Sequence, residues 1–265
     1  MITNFCLSID FMQRVSVGTI LRSQDAGRLF GYASMLNMRA DSHSMMPFGL
    51  VQDGRMFKDR PYRQYLSGEG RHDIPIMVGS LQHEATFFFD GDNDRGPLSS
   101  WWYPLIVSAV FGPFQIRKVM SLYPILPEDA GDLRGPLARL ATSWIFACGA
   151  NEIARKSPQN VFYYFFTHAP VCSRWATACT TKSCHNDDVG ILFNSTHLKC
   201  TELTASEAQL GLEWRHRIWK MVDGGDPWPH PRPNGATGVE ILVGKWDPVT
   251  FDTSSHACAF LDGYP

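Results

Sequence analysis

Apolar runs alternate with helical stripes along most of the chain, and they predict an ordered set of strands and helices. The run at residues 74–79 (Ile-Pro-Ile-Met-Val-Gly) is bounded by polar residues, and residues 161–167 are rich in aromatic side chains. Continuous apolar runs of this length are typical of strands buried on both faces. We therefore predict two buried strands, with 74–79 as a central strand. Residues 239–243 predict a late strand, followed by a short tail.

Apolar residues also recur at the spacing of amphipathic helices between these runs. Four residues after Pro136 follow the i, i+3, i+7, i+11 spacing of one helix face: Leu137, Leu140, Trp144 and Cys148. A second stripe follows the capping-box sequence at 204–207 and ends at Gly224-Gly225: Leu210, Trp214, Ile218 and Met221. Strands and helices alternate in this order, which predicts an α/β fold class.

The first part of the chain is predicted to be mostly loop. Residues 12–24 have a weak helical pattern, and turn sequences follow at Asp53-Gly54 and Ser67-Gly68. No period of 20 to 50 residues repeats and no low-complexity block is present, which disfavours solenoids and propellers. One domain, or part of one, is the simplest interpretation.

Charge and hydropathy exclude several classes of partner. The 24 basic and 26 acidic side chains leave a net charge of −2, without the basic surface that nucleic acid requires. The longest uncharged apolar run, Leu98 to Ile116, is interrupted by Pro104 and Gly112-Pro113, so it predicts no transmembrane segment. Residues 1–12 include Asp10 and lack a basic region, so they do not predict a secretory signal.

The cysteine content favours an extracytosolic location. Seven cysteines are many for a reducing compartment, and their odd number leaves at least one without a partner in the chain: Cys6, Cys148, Cys172, Cys179, Cys184, Cys200 and Cys258. Asn194-Ser195-Thr196 is a glycosylation sequon, which favours the same compartment.

Metal-site interpretations find little support in the spacing of the residues. His83-Glu84 lacks the second histidine of a zinc peptidase, because position 87 is a phenylalanine. A second candidate set is Cys172, Cys179, Cys184 and His185. Their spacing matches none of the common zinc sites, and disulfides account for the cysteines equally well. The sequence therefore predicts neither a metal nor another cofactor.

One carboxylate and one histidine follow the two predicted buried strands. Glu84 lies after the strand at 74–79, and His185 lies in the loop after the strand at 161–167. Sites in open α/β sheets form in the crevice beyond the carboxyl ends of the strands. These two side chains are therefore candidates for one site, despite the 101 residues between them.

Local sequence around both residues resembles the type-B carboxylesterases, a family that includes the cholinesterases and fungal lipases on the α/β-hydrolase fold. Residues 47–54, 59–61 and 74–84 are similar to the family's approach to its acidic triad residue, which puts Glu84 in the place of the catalytic acid. Residues 184–193 resemble its histidine motif, which puts His185 in the place of the catalytic base.

Further segments extend the resemblance to nearly the whole chain. Residues 160–168, 225–227 and 258–260 are similar to the strand before the histidine loop, the end of a late helix and a C-terminal Cys-x-Phe. The resemblance implies a disulfide between Cys148 and Cys258. It also implies that Cys6 pairs with a cysteine preceding Met1. Cys172, Cys179, Cys184 and Cys200 allow three connectivities, and the resemblance assigns none of them.

The chain departs from the family pattern in several places. It contains no Gly-x-Ser-x-Gly nucleophile elbow and no segment resembling the family's oxyanion-hole glycines. In this fold the serine precedes the acid, and the 83 residues before Glu84 are too few for the elbow and its strands. Residues 1–265 are therefore expected to be the C-terminal portion of the esterase domain. Smaller departures are Asn186 for a glycine, Asp188 for a glutamate and His83 for an aspartate.

The resemblance implies a carboxylic ester hydrolase with a Ser-His-Glu triad, acting on a small-molecule or lipid ester and secreted in its full-length form. This chain would supply the acid and the base and be inactive alone. One alternative is a non-catalytic cholinesterase-like binding or adhesion domain, although such a domain has no chemical need for both Glu84 and His185. Another is an unstable truncated gene product with exposed strand edges. The sequence does not predict the oligomeric state.

Overall fold

The structure is a computed structural model that describes nine stretches of the chain: residues 54–59, 61–68, 74–90, 97–157, 161–171, 179–195, 202–228, 237–250 and 256–261. The weak helix predicted at 12–24 lies outside these residues, as do Cys6, Cys172 and Cys200.

Strands and helices alternate in the order that the sequence predicts. They are α1 (Pro61–Leu66), β1 (Ile76–Leu81), α2 (Thr86–Asp90), α3 (Trp102–Phe111), α4 (Ile116–Leu122), α5 (Arg134–Ala141), α6 (Cys148–Lys156), β2 (Val161–Phe166), α7 (Asp187–Leu192), α8 (Ala205–Val222), β3 (Thr237–Leu242), β4 (Lys245–Thr250) and α9 (His256–Leu261). A π-helical turn, Thr142–Ala147, makes α5 and α6 nearly continuous.

The described strands form one sheet in the order β1-β2-β3-β4. The pairs β1–β2 and β2–β3 are parallel, and β3–β4 is an antiparallel hairpin. Within the described residues β1 pairs only with β2, so these residues do not confirm the prediction that residues 74–79 form a central strand. An apolar run indicates that the faces of a strand are covered, and it carries no information on whether both edges are paired.

The helix predicted after Pro136 builds a first hydrophobic core. Leu137, Leu140 and Cys148 are buried there, and Trp144 packs against them from a partly buried position. Helix α3 adds the buried side chains of Tyr103, Val107 and Phe111 to the same cluster. Helix α6 also packs against β1 and β2, so this helical layer covers the strands that carry the candidate site.

Helix α8 covers the sheet with a second hydrophobic core. Its N-cap residue is Thr204, whose hydroxyl accepts from the Glu207 backbone N–H at 3.2 Å, while the Thr204 N–H donates to the Glu207 carboxylate at 2.9 Å. This is the predicted capping box. Leu210 and Trp214 of α8 are almost completely buried, together with side chains of all three parallel strands: Leu81, Phe162, Phe166, Val239 and Ile241.

The C-terminal tail contains more regular structure than predicted. Strand β4 pairs with β3 through a two-residue turn in which Gly244 has φ +72°, and α9 follows. Helix α1 likewise lies in a segment predicted as loop, directly before the predicted turn at Ser67-Gly68. No single helix in the described part of the chain is long and apolar enough to cross a membrane. The segments 102–111 and 113–122 pass that test only together, with a bend of 119° between them.

Candidate active site

The structure brings Glu84 and His185 into direct contact. His185 Nδ1 lies 2.6 Å from Glu84 Oε2, and the other carboxylate oxygen accepts the Leu81 backbone N–H at 2.9 Å. The Glu84 side chain is only 6% exposed, whereas His185 is 31% exposed. The carboxylate is therefore fixed inside the protein, and the imidazole that it contacts reaches the surface.

The parallel pairing of β1 and β2 places both loops at one end of the sheet. Beyond the strands, the Gln82 N–H donates to the Phe166 carbonyl at 3.1 Å, and the His83 N–H donates to the Ser183 carbonyl at 2.9 Å. The Ser183 hydroxyl also donates to the Phe166 carbonyl at 3.0 Å. These bonds continue the β1–β2 ladder into the loops, and so hold the loop of His185 beside the turn of Glu84.

His185 lies on a tight turn between a disulfide and helix α7. Asn186 adopts the left-handed conformation with φ +69°, which asparagine tolerates better than most residues. The Cys184 N–H donates to the Asp187 carboxylate at 2.7 Å, and the Asp187 N–H donates to the Cys184 carbonyl at 3.0 Å. Cys184 also forms a disulfide with Cys179. The backbone on both sides of the histidine is therefore constrained.

A second buried carboxylate, Asp188, lies near the pair. Burial raises the pKa of Asp188, and the negative charge of Glu84 raises it further, although the hydrogen bond from Tyr164 and the proximity of His185 oppose this. The Tyr164 hydroxyl donates to Asp188 at 3.1 Å. Sequence reasoning noted Asp188 only as a departure from a motif. The signal available in the sequence was an acidic residue three positions after His185.

Tyr163 and Ser80 form a buried polar contact on the adjacent strands, which sequence reasoning missed. Their hydroxyl oxygens are 2.7 Å apart. Burial raises the pKa of Tyr163 to about 12, and the charge of Glu84 contributes in the same direction. Tyr163 belongs to an apolar run that predicts packing, and Ser80 is the polar residue that ends the other run, so only the register of β1 against β2 reveals the contact.

Aromatic rings surround the imidazole of His185. The ring centroids of Phe87, Phe88 and Phe146 lie 5.7, 5.7 and 5.2 Å from its centroid. Phe87 and Phe88 belong to α2, which begins two residues after Glu84, and Phe146 belongs to the π-helical turn. Thr142 opens that turn and accepts the Ala85 N–H at 3.0 Å, which ties the turn to the glutamate loop.

Two disulfides lie within the described residues. Cys148 bonds to Cys258, the pair that the resemblance implies, and joins α6 to α9 across 110 residues. The second, Cys179–Cys184, uses two of the four side chains considered above as metal ligands. Asn194 is exposed with φ +50° after α7. Cys172, Cys200 and the sequon residue Thr196 lie outside the described residues.

The arrangement is suited to moving a proton. A carboxylate that holds Nδ1 selects the histidine tautomer in which Nε2, the other ring nitrogen, accepts a proton, and it stabilises the imidazolium that then forms. The same geometry is found between the acid and the base of catalytic triads. The sequence contains no nucleophile elbow to complete it.

Comparison with known proteins gives consistent results. The sequence profile of the carboxylesterase family matches residues 5–257. The cAMP-regulated D2 protein of Dictyostelium discoideum is 26% identical over 210 residues, which are 77% of this chain and 37% of that protein. The crystal protein of the same organism is 24% identical over 210 residues, or 77% of this chain and 36% of that protein. The chain thus spans little more than a third of the length of these relatives.

The structure of Aspergillus niger EstA is similar in three dimensions. Its TM-score is 0.62 at 19% sequence identity, and the match covers 82% of this chain and 44% of that chain. This likeness shows the fold, so the sheet and its helices are part of an α/β-hydrolase fold. Because the family profile matches nearly the whole sequence, the protein belongs to the carboxylesterase family.

Proposed function

We propose that the protein is a carboxylic ester hydrolase of the serine type, in which this chain supplies Glu84 as the acid and His185 as the base. The observation that carries the proposal is the 2.6 Å contact between His185 Nδ1 and the buried Glu84 carboxylate. The nucleophilic serine and the oxyanion-hole N–H groups would come from residues outside these 265. Family membership supports ester hydrolysis at the level of reaction class.

In the proposed reaction the serine hydroxyl attacks the ester carbonyl while Nε2 of His185 takes its proton. The imidazolium then gives that proton to the departing alcohol, which leaves an acyl-enzyme. Water attacks the acyl group by the same proton transfers and releases the carboxylic acid. Glu84 keeps its charge throughout, because its role is to orient the imidazole and to stabilise the imidazolium.

The surroundings of His185 favour an ester with an apolar group. Phe87, Phe88 and Phe146 place the centroids of three phenyl rings between 5.2 and 5.7 Å from the centroid of the imidazole. Apolar surfaces of this kind bind acyl chains or aromatic alcohols through burial of their area. Small-molecule or lipid esters are therefore the proposed substrates.

The absence of a nucleophile elbow from the sequence gives the first test. The 265-residue chain is incubated with a chromogenic short-chain ester and with a fluorophosphonate probe, and we expect no hydrolysis above background and no labelled serine. The transcript is sequenced upstream of the Met1 codon, where we expect an in-frame Gly-x-Ser-x-Gly roughly 100 residues or more before it. Labelling of any serine in the 265-residue chain would overturn the proposal that the nucleophilic serine lies outside these residues.

The roles of the two residues are tested in the product of the longer transcript. His185→Ala is expected to lower kcat/KM by about 10,000-fold, and Glu84→Gln by a comparable factor because the histidine tautomer is lost. The exposed residues His216 and Glu202 provide matched controls, so His216→Ala and Glu202→Gln should leave kcat/KM unchanged. Equal activity of Glu84→Gln and Glu202→Gln would refute the role of the acid.

We further propose that the full-length protein is extracytosolic and glycosylated at Asn194. The disulfides Cys148–Cys258 and Cys179–Cys184 are compatible with an oxidising compartment, and Asn194 is exposed. Secretion from eukaryotic cells should yield a protein whose gel mobility increases after glycosidase treatment, and Asn194→Gln should remove that shift. Asn151→Gln is the control, because Asn151 is not in a sequon.

A further inference from the structure

A cavity of about 750 Å³ lies beside the turn after β1, and neither Glu84 nor His185 lines it. Its volume is within the roughly 300–1,000 Å³ range of sites for small organic molecules. Part of its wall is apolar: Phe89, Leu122, Leu126 and Ala138. The cavity therefore has the room and the surface to bury an apolar group.

Two ion pairs in the wall of the cavity are internally neutral. Arg139 Nη2 lies 2.6 Å from Asp129 Oδ2, and the same nitrogen donates to the Pro124 carbonyl at 2.9 Å. Arg134 Nε donates to Asp132 Oδ2 at 2.7 Å. Because each guanidinium is paired with a carboxylate, neither ion pair presents a net charge to a bound ligand.

Among the described lining residues, Lys182 is the cation that forms no ion pair. Its ammonium makes no hydrogen bond or ion pair within the described part of the chain, and it acts electrostatically on both His83 and Asp129. Glu128, the remaining acid among the described lining residues, is exposed to solvent. A partly buried lysine that forms no ion pair favours binding of an anion.

His83 adds a neutral polar group to the same wall. Burial lowers the pKa of His83 to about 4, and the charges of Lys182 and Arg139 contribute in the same direction. The imidazole is therefore uncharged at neutral pH, with one N–H donor and one acceptor. Its ring makes no hydrogen bond to the described residues. It can donate to an anion without adding a second positive charge.

We propose that this cavity binds a small organic monocarboxylate, whose carboxylate contacts Lys182 and His83 and whose apolar body packs against Phe89 and Leu122. A single negative charge matches Lys182, the one cation among the described lining residues that forms no ion pair, and the apolar part of the wall explains why the anion is organic. This site is separate from the Glu84–His185 pair and does not depend on esterase activity.

Hexanoate is the probe that tests the site. Calorimetric titration of the protein should show saturable binding of hexanoate, and hexanamide, which has a similar shape without the charge, should bind at least tenfold more weakly. Nuclear magnetic resonance of the histidine Cε1–H groups should show that the pKa of His83 rises when hexanoate is bound, because the carboxylate offsets its cationic neighbours. Both measurements use the unaltered chain, so they do not depend on whether a variant folds.

Variants of Lys182 test the contact directly. Lys182→Gln should weaken hexanoate binding at least tenfold and Lys182→Arg should largely restore it, while Lys245→Gln, at an exposed lysine of β4, should have no effect. The proposal is overturned if hexanoate does not bind, if hexanamide binds equally well, or if inorganic phosphate binds as tightly as hexanoate. Binding that survives Lys182→Gln but is lost in His185→Gln would place hexanoate at the Glu84–His185 pair and also overturn it.

Discussion

Adjacent residues after β1 have opposite electrostatic surroundings. Glu84 is a buried carboxylate that contacts His185 and accepts a backbone N–H. His83, the preceding residue, faces Lys182 and Arg139 across a cavity. Glu84 therefore lies beside a histidine, whereas His83 lies beside two cations. The cations disfavour binding of a proton by His83.

The pKa of His83 predicts an acid-sensitive contribution to stability. Between pH 6.5 and about 4 the unfolded chain binds a proton at His83 that the folded chain does not, so the free energy of unfolding falls as the pH is lowered through this range. The upper bound is about 3 kcal/mol at roughly 1.4 kcal/mol per pKa unit, and partial exposure of the ring reduces it.

Urea unfolding at pH 7 and pH 4.5 measures this contribution. His83→Gln, which stays neutral, should lose less stability than the unaltered protein over that interval. His216→Gln changes an exposed histidine and should behave like the unaltered protein. If the free energy of unfolding falls equally with pH in His83→Gln and in the unaltered protein, the lowered pKa of His83 is contradicted.

At the scale of elements, close backbone packing holds the histidine loop in place. Helix α7 begins two residues after His185 and packs against α8. A Cβ added at Gly211 of α8 would lie 2.2 Å from the Ile191 carbonyl oxygen of α7, which is closer than atoms can approach. The absence of a side chain at Gly211 is thus a condition for this helix pair.

Two glycine substitutions test that condition. Gly211→Ala should lower the free energy of unfolding by about 2–3 kcal/mol, since overpacking outweighs the better helix propensity of alanine. Gly149→Ala in α6, where an added Cβ meets nothing within 4 Å, should instead raise it by about 0.5–1 kcal/mol. Chemical denaturation of both variants gives the comparison, and equal effects would exclude the packing explanation.

Across the whole molecule, the Cys148–Cys258 disulfide connects the helical layer to the C-terminal helix. It bridges 110 residues and encloses β2, the histidine loop, α8 and the hairpin. In the chain-entropy description, a cross-link restricts the unfolded chain more when the enclosed loop is longer. This disulfide is therefore expected to stabilise the fold more than Cys179–Cys184, which spans 5 residues.

Removing each disulfide in turn distinguishes an effect on the stability of the fold from an effect on the geometry around His185. Replacing Cys148 and Cys258 with alanine should lower the free energy of unfolding by about 2–4 kcal/mol. Replacing Cys179 and Cys184 with alanine should cost less stability, but it should disturb the resonances of the adjacent His185. Thermal denaturation and histidine resonance spectra distinguish the two effects. A larger loss of stability from the 179–184 pair would contradict the entropic argument.

Sequence alone determined the elements whose signals are local. The apolar aromatic run at 161–167 and the capping box at 204–207 predict β2 and α8 closely, because propensity and capping act over a few neighbouring residues. Glu84 and His185 were found in the same way, as polar residues that follow two parallel strands and stand in recognisable motifs. Strand β4 was missed, because Pro248 and the lack of alternation hide it.

Features that depend on distant residues follow from the folded chain and not from local sequence. These are the pairing of β1 with β2, the phenyl rings around His185 and the cavity that joins His83 to Lys182. An apolar run indicates that a segment is buried, but it does not specify which segments pack against it. Likewise, the pKa of a histidine depends on charges from other loops, which sequence spacing does not specify. Sequence thus determined which chemical groups the chain carries, and folding decided which of them act on one another.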